Sequence, residues 1–187
     1  MIVHGVYEAQ LDDLISLAAR VEQIFSAAGL EYRIVGGLAT FLYVEEATPD
    51  AARLTRDIDI VVRREDVERI AKAAETFGFR YRHVAGIDML VRKDEPTARR
   101  AVHLVMAGEK VRPDYPEPVP DIWEVCWLRG VRLIPLPDLI RMKLTSFRAK
   151  DAAHLIDLDE AGLITPEIES GLPPLLRERL AEARLRG

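Results

Sequence analysis

The stretches IVGGLATFLY (residues 34–43) and RLTRDIDIVV (residues 53–62) decide the fold. In the first, two β-branched residues run into a glycine pair and then into residues with helical spacing, which predicts a strand, a tight turn and a helix. In the second, acidic and β-branched residues alternate, which predicts a strand that begins at Asp57. A strand, a glycine turn, a helix and an acidic strand therefore follow one another in this order.

The acidic strand places two carboxylates on one face. Asp57 and Asp59 are two residues apart, so their side chains leave the same side of the strand, while Ile58 and Ile60 point to the other side. Two unscreened carboxylates repel each other, and a hard cation such as Mg2+ or Mn2+ takes oxygen ligands of this kind. The pattern is typical either of a divalent metal site or of a half-exposed strand with solvated acids.

The glycine pair, Gly36 and Gly37, joins the first strand to its helix. Glycines at such a turn let backbone N–H groups and the positive end of the helix come close to a phosphate. A tight turn without any ligand would have the same sequence. The pair therefore indicates a phosphate site only in combination with the acidic strand.

Outside these stretches, the pattern predicts an α+β fold, with a mixed β-sheet flanked by helices and a helical extension near the C-terminus. We expect a sheet of about five strands. Its further strands are expected at 79–84, 87–91, 101–106 and in a hairpin turned at Arg129-Gly130. Helices are expected at 7–28, 64–76, 137–147, 150–159 and from Pro173 onward. We expect an α/β core over residues 1–134 and a helical region over residues 135–187 that packs on this core.

The chain has 187 residues, a formal net charge of -5 and one cysteine, Cys126. The negative charge argues against a protein that binds bulk duplex nucleic acid, because such binding draws its affinity from phosphate neutralisation. A single cysteine excludes an internal disulfide and fits a reducing compartment. No signal peptide and no membrane-length apolar run is recognisable, so a cytoplasmic protein without a membrane partner is expected.

The proline-rich stretch 111–121 predicts an irregular strap rather than regular structure. Trp123 and Trp127 follow the strap four residues apart, and we expect both side chains to lie in the core. Cys126 lies between them and is expected to serve packing alone, since no basic neighbour in the sequence would activate its thiol.

The order of the elements over residues 30–106 resembles the signature of the nucleotidyltransferase superfamily, which has the fold of polymerase beta. The resemblance implies a nucleotidyltransferase-type sheet in which Gly36 and Gly37 hold a nucleoside triphosphate. It also implies that Asp57 and Asp59 bind divalent metal, Mg2+ or Mn2+, and act in catalysis. Arg56, which directly precedes the acidic pair, is a further candidate for nucleotide binding.

A second resemblance lies in PLPDLIRMKLTSFRAKDAAHLIDL (residues 135–158). This segment is similar to the helical segment of nucleotidyltransferase toxins of abortive-infection systems and their uncharacterised relatives. Lysine, arginine and a Lys-Asp pair recur there in the same order, here as Lys143, Arg148, Lys150 and Asp151. The resemblance implies that Lys143 and Lys150 bind nucleotide and that an antitoxin-type partner exists. From charge alone, these basic groups would either meet substrate phosphates or pair with the acidic strand.

His103 departs from the superfamily pattern. Members that catalyse transfer carry a third carboxylate on a later strand, beside the acidic pair, and His103 stands where we align that acid. A neutral imidazole is a poorer ligand for Mg2+ than a carboxylate, although it can act as a general base near neutral pH. His103 is therefore either a catalytic candidate or a plain strand histidine, and Asp88 on the preceding strand is a candidate to replace the missing acid.

Two functions follow from the resemblance. The first is an enzyme that transfers a nucleoside monophosphate from a triphosphate to a hydroxyl of RNA, protein or a small molecule by a metal-assisted mechanism. The alternative is a degenerate, non-catalytic member that binds a nucleotide or a partner protein through the same cleft. Either would be compatible with membership of a toxin-antitoxin pair.

Overall fold

The structure, a computed structural model, describes residues 2–49, 53, 55, 57–94 and 101–186, with side chains described from residue 11 onward. The helices are α1 Ile2–Ala28, α2 Gly36–Ala47, α3 Val67–Thr76, α4 Leu136–Ser146, α5 Ala149–Glu160, α6 Pro166–Ser170 and α7 Pro174–Arg184. The strands are β1 Arg33–Val35, β2 Ile58–Val62, β3 Phe79–Val84, β4 Ile87–Arg92, β5 Val102–Met106, β6 Cys126–Leu128 and β7 Val131–Leu133. A 3-10 turn, Arg64–Asp66, precedes α3.

The strands form one mixed sheet in the order β3-β4-β5-β2-β1-β7-β6. Strands β2 and β5 run parallel, as do β1 and β7, while the remaining neighbours are antiparallel. The predicted α+β fold is confirmed. In the part of the chain that the structure describes, the sheet has seven strands instead of about five, because the hairpin β6–β7 joins β1 through the pair Ile34–Leu133.

The buried apolar residues form two main clusters. The larger cluster lies between the sheet and its helices and includes Ile58 and Ile60, both fully buried. The smaller one joins α4, α5 and α7 to Val44, which lies near the end of α2. Because α2 also contributes Leu38 to the larger cluster, this helix connects both. The division into parts at residue 134 stays a prediction.

A buried arginine fixes the strap, which in the structure extends over residues 111–125, up to the start of β6. Arg33 on β1 is almost fully buried. Its Nε donates to the carbonyl oxygen of Glu124 at 2.6 Å, and its Nη2 donates to that of Ile122 at 2.7 Å. The strap is irregular, as predicted from its prolines, and its side chains Val119 and Ile122 belong to the larger core cluster.

The expectation that both tryptophans lie in the core is wrong. The Trp123 residue is 78% exposed and Trp127 is 57% exposed. Trp127 lies on β6, the edge strand of the sheet, where the guanidinium carbon of Arg132 lies 5.3 Å from the centroid of its ring. Trp123 similarly stacks against Arg63. An arginine guanidinium can stack on one face of an exposed aromatic ring through a cation–π interaction, while the other face stays in contact with solvent.

Candidate functional site

The acidic strand and its parallel neighbour place a carboxylate beside an imidazole. Asp59 on β2 pairs directly with His103 on β5, so both side chains leave the same face of the sheet. The His103 Nδ1 lies 3.1 Å from the Asp59 Oδ1, and both side chains are partly exposed. Ile58 and Ile60, on the opposite face, are fully buried. The alternation predicted from the sequence is present.

The two carboxylates act together on His103. The hydrogen bond with Asp59 raises the pKa of His103, burial opposes the rise, and the negative charges of Asp59 and Asp57 add to it. Asp57 immediately precedes β2 and is partly buried. The positive charge of Lys150, at the start of α5, opposes protonation of the imidazole. These groups therefore lie within electrostatic reach of one another.

The glycine turn lies directly against the acidic strand. Val35 pairs with Asp59, so the next residue, Gly36, comes close to that carboxylate. A Cβ on Gly36 would lie 2.2 Å from the Asp59 Oδ2, and the φ of Gly36 is +67°. A Cβ on Gly37 would lie 2.6 Å from the Thr55 Oγ1. Both positions require glycine, and they bring the start of α2 to the carboxylate of Asp59.

Helix α4 contributes a buried lysine to the same region. Only 4% of the Lys143 side chain is exposed. Its Nζ lies 2.8 Å from the His154 Nδ1 and 3.9 Å from the Asp151 Oδ1. Burial lowers the pKa of Lys143 to about 8, while the negative charges of Asp151 and Asp59 act in the opposite direction. Lys143 thus lies within electrostatic reach of Asp59 on the acidic strand.

Arg148 and Asp151 pair with each other at the start of α5. The Asp151 carboxylate accepts hydrogen bonds from the Arg148 Nε at 2.7 Å and from the Ser146 Oγ at 2.7 Å. Burial raises the pKa of Asp151, but these hydrogen bonds and the charge of Lys143 outweigh it, so the pKa is below its usual value. Lys150, in contrast, is exposed.

Asp88 is not the substitute for a third acid, because it pairs with Leu104 while its neighbour Met89 pairs with His103. Its side chain is therefore on the opposite face of the sheet from His103, where it accepts hydrogen bonds from Tyr81 and His83 at 2.6 Å each. Arg56 lies outside the described residues, so its proposed contact with nucleotide stays a prediction.

The candidates for holding a divalent metal at the acidic strand are two carboxylates. Within residues 11–49, 53, 55, 57–94 and 101–186, no three His, Cys, Asp or Glu side chains are grouped closely enough to hold a metal. Asp57 and Asp59 supply hard oxygen atoms, which suit Mg2+ or Mn2+. Phosphate oxygens of a triphosphate would have to supply the remaining ligands.

The sequence interpretation missed His154 and Thr55. His154 is three residues after Asp151, and this spacing could have placed both residues on one face of the helix. Its partner, Lys143, lies on another helix and could not have been identified from this spacing. Thr55 could not have been found in this way, because its contact with Gly37 depends on how a loop returns to the sheet. In the part of the chain that the structure describes, no helix is long and apolar enough to cross a membrane.

No protein-family model and no curated protein matches the chain. Among solved structures, 14 chains match. An antigenic nucleotidyltransferase-like protein from Paracoccidioides brasiliensis has 18% identity and a TM-score of 0.62, over 94% of this chain and 88% of that one. The antibiotic-resistance factor ANT(2'')-Ia has 16% identity and a TM-score of 0.46, over 92% and 83%. The Megavirus polyadenylate synthase has 11% identity and a TM-score of 0.43, over 93% and 34%. The similarity to the Paracoccidioides protein shows that this chain has the nucleotidyltransferase fold, as expected from its sequence.

Proposed function

We propose that this protein transfers a nucleoside monophosphate from a nucleoside triphosphate to a hydroxyl group with the help of a divalent metal. The observation that carries the proposal is the contact between Gly36 and the Asp59 carboxylate. It brings a helix N-terminus, which favours phosphate, and an acidic strand, which favours metal, to one point. Neither feature alone would indicate nucleotidyl transfer.

The start of α2 is the proposed triphosphate site. Val35, the N-cap residue of this 12-residue helix, makes no side-chain capping hydrogen bond. The backbone N–H groups of the first turn are the proposed donors to phosphate oxygens. The helix dipole adds a partial positive charge at the same end. Lys143 of α4 and Lys150 of α5 are the proposed cations that offset the charge of the phosphates. Arg56 is proposed to contribute in the same way.

Asp57 and Asp59 are the proposed ligands of Mg2+ or Mn2+. When bound, such a metal supplies positive charge to the attacking and leaving oxygens of a phosphoryl transfer. In the tautomer with its proton on Nδ1, the His103 imidazole donates a hydrogen bond to Asp59, which fixes the orientation of the ring. The lone pair on Nε2 is then free. Neutral His103 would then accept the proton of the acceptor hydroxyl at Nε2.

A binding and transfer assay tests the proposal. The four ribonucleoside triphosphates, each with Mg2+ or Mn2+, are added to the protein, and the melting temperature, pyrophosphate release and label transfer to RNA and protein are measured. At a hundredfold excess over its dissociation constant, a ligand should stabilise the folded state by about 2.7 kcal/mol. Label transfer identifies the acceptor class.

The control variants separate a specific site from surface charge. Asp57→Asn combined with Asp59→Asn should abolish the ligand-induced stabilisation, because these carboxylates would hold the metal. Asp114→Asn removes one exposed carboxylate from the strap and should leave the stabilisation unchanged. If no triphosphate changes the melting temperature of the natural protein, the proposed function is wrong.

One observation favours the second candidate, a non-catalytic nucleotide binder. The hydrogen bond of His103 engages one oxygen of Asp59, and the resemblance aligns His103 with the third carboxylate of the catalytic members. His103→Asp distinguishes the two functions. In a binder, the new carboxylate should tighten Mg2+ binding, since hard cations prefer oxygen ligands. In an enzyme that uses His103 as its base, the same change should lower pyrophosphate release near neutral pH.

A further inference from the structure

Lys143 is a buried cation that needs acceptors. An ammonium group has three N–H donors, and burying it without partners is strongly unfavourable. Asp151 lies 3.9 Å from the Lys143 Nζ, which is too far for a hydrogen bond. The His154 Nδ1, at 2.8 Å, is within hydrogen-bond distance. The imidazole is thus the nearer partner of the two.

His154 is suited to accept this hydrogen bond. Burial and the positive charge of Lys143 lower the pKa of His154 to about 4, so the imidazole is neutral at physiological pH. A neutral imidazole with its proton on Nε2 offers a lone pair at Nδ1. Asp151 is less available because Arg148 and Ser146 already donate to its carboxylate.

The contact joins two elements of the helical region. Lys143 belongs to α4 and His154 to α5, and the chain between them contains the left-handed residue Phe147 with a φ of 43°. The position of the Lys143 ammonium therefore depends on an atom from the next helix. Asp59, which lies against the glycine turn, acts on this ammonium through its negative charge, so the pair lies within electrostatic reach of that carboxylate.

We infer that His154 is a positioning residue whose Nδ1 accepts a hydrogen bond from Lys143 and holds this ammonium toward Asp59. There the ammonium would meet the triphosphate, so the inference rests on the proposed function. Without the acceptor, the flexible lysine side chain would lose its fixed place beside the cleft. His154 itself would not touch the substrate.

Charged groups from several elements act on the pair. Those that act on Lys143 or His154 are Asp59 of β2, Arg53 of the preceding loop, Arg148 before α5, and Asp151 and Lys150 of α5. The pKa of Lys143 is lowered to about 8 in this surrounding. A bound triphosphate adds negative charge and should raise it again, so binding above about pH 8 should take up a proton.

Nuclear magnetic resonance with 13C-labelled lysine Cε tests the hydrogen bond without any activity. The chain contains only five lysines, and Lys143→Arg identifies the Lys143 signal. We expect this signal to titrate near the pKa of about 8 in the natural protein. In His154→Leu the midpoint should fall by about one pH unit, because the charged form loses a hydrogen bond. In His154→Asn it should stay close to the natural value, since the amide oxygen can replace Nδ1.

Inorganic tripolyphosphate with Mg2+ tests the consequence for binding, independently of base preference. His154→Leu should bind it roughly tenfold more weakly than the natural protein, whereas His154→Asn should bind within about twofold. His83→Leu removes a histidine from the opposite face of the sheet and should leave both the Lys143 signal and the binding unchanged. Far-UV circular dichroism confirms that each variant is folded.

Equal effects of leucine and asparagine at residue 154, on the titration or on binding, would overturn the inference, since a purely steric role does not distinguish an acceptor from a methyl group. An unchanged midpoint in His154→Leu would also overturn it. If the natural protein binds neither tripolyphosphate nor any nucleoside triphosphate, the proposed function fails. The titration then still decides whether His154 holds Lys143.

Discussion

Gly36 is the residue at which backbone conformation and the candidate site depend on each other. Its φ of +67° and the 2.2 Å separation between an added Cβ and the Asp59 Oδ2 are two separate obstacles to any side chain. Gly36→Ala should lose about 1–2 kcal/mol of unfolding free energy from the left-handed conformation alone. It should lose more because the Asp59 carboxylate has to move.

Gly29→Ala is the matched control for this prediction. Gly29 has a φ of +60°, but no atom lies within 4 Å of an added Cβ. Urea unfolding should therefore show only the conformational cost in Gly29→Ala, and triphosphate binding should persist there. Equal destabilisation of the two variants, with binding retained in both, would contradict the close contact at Gly36.

His103 gives the stability of the ligand-free protein a specific pH dependence. Its hydrogen bond with Asp59 raises its pKa above the ordinary value of 6.5. A raised pKa stabilises the folded state fully below the unfolded-state value, and this stabilisation is lost as pH rises through the folded-state value. The free energy of unfolding should therefore exceed that of His103→Asn by more at about pH 5.5 than at about pH 8.5.

Urea unfolding of both proteins at the two pH values measures this difference. His83→Asn is the comparison variant, because His83 pairs with Asp88 on the opposite face of the sheet. A difference between the natural protein and His103→Asn that is the same at both pH values would contradict a protonated His103 beside Asp59.

At the scale of elements, the strap depends on Arg33. This buried guanidinium donates to two carbonyl groups of the strap, at Glu124 and Ile122. Arg33→Gln should lower the free energy of unfolding by about 3 kcal/mol, because buried acceptors lose charged partners. Hydrogen exchange over residues 111–125 should also become faster.

Arg80→Gln provides the control, because Arg80 is an exposed residue of β3. Its stability should remain within about 0.5 kcal/mol of the natural protein. If Arg33→Gln exchanged at the natural rate over the strap, the strap would be held by its apolar residues Val119 and Ile122 instead.

The sequence predicted those elements whose signal is local. Alternation placed β2, and the glycine pair placed the start of α2, because both follow from the spacing of a few neighbouring residues. Contacts that depend on register across the sheet could not be predicted. The sequence could not show that Asp88 lies on the opposite face of the sheet from His103, because its orientation follows from the pairing of β4 with β5. The exposure of Trp127 depends on β6 becoming the edge strand.

The contacts of the candidate site likewise divide into those that the sequence predicted and those that depend on how the helices pack. Asp59 and Gly36 were predicted as members of one site, and their contact is local in the sheet because β1 and β2 are adjacent. The pairing of Lys143 with His154 required knowledge of how α4 packs on α5. The sequence predicted Lys143 as a basic group in the site but left its partner open. Its functional role stays a prediction.

At the scale of the whole molecule, α2 couples the sheet to the helical region. It contributes Leu38 to the larger core cluster and Val44 to the smaller one, which α4, α5 and α7 complete. The lysines of the candidate site belong to α4 and α5. Loss of packing in the smaller cluster should therefore reach the site, although α7 itself contributes no residue to it.

Leu176→Ala tests this coupling against its neighbour, Leu175→Ala. Leu176 on α7 is fully buried in the smaller cluster, whereas Leu175 is 45% exposed. Truncating a fully buried leucine should cost about 2–5 kcal/mol, and the exposed position should cost far less. Because α2 spans both clusters, we expect hydrogen exchange in Leu176→Ala to accelerate in α4 and α5 and also in β1 and β2. Tripolyphosphate binding should weaken at the same time. Faster exchange confined to residues 135–186, with β1 and β2 unchanged, would instead indicate that the helical region unfolds independently of the sheet.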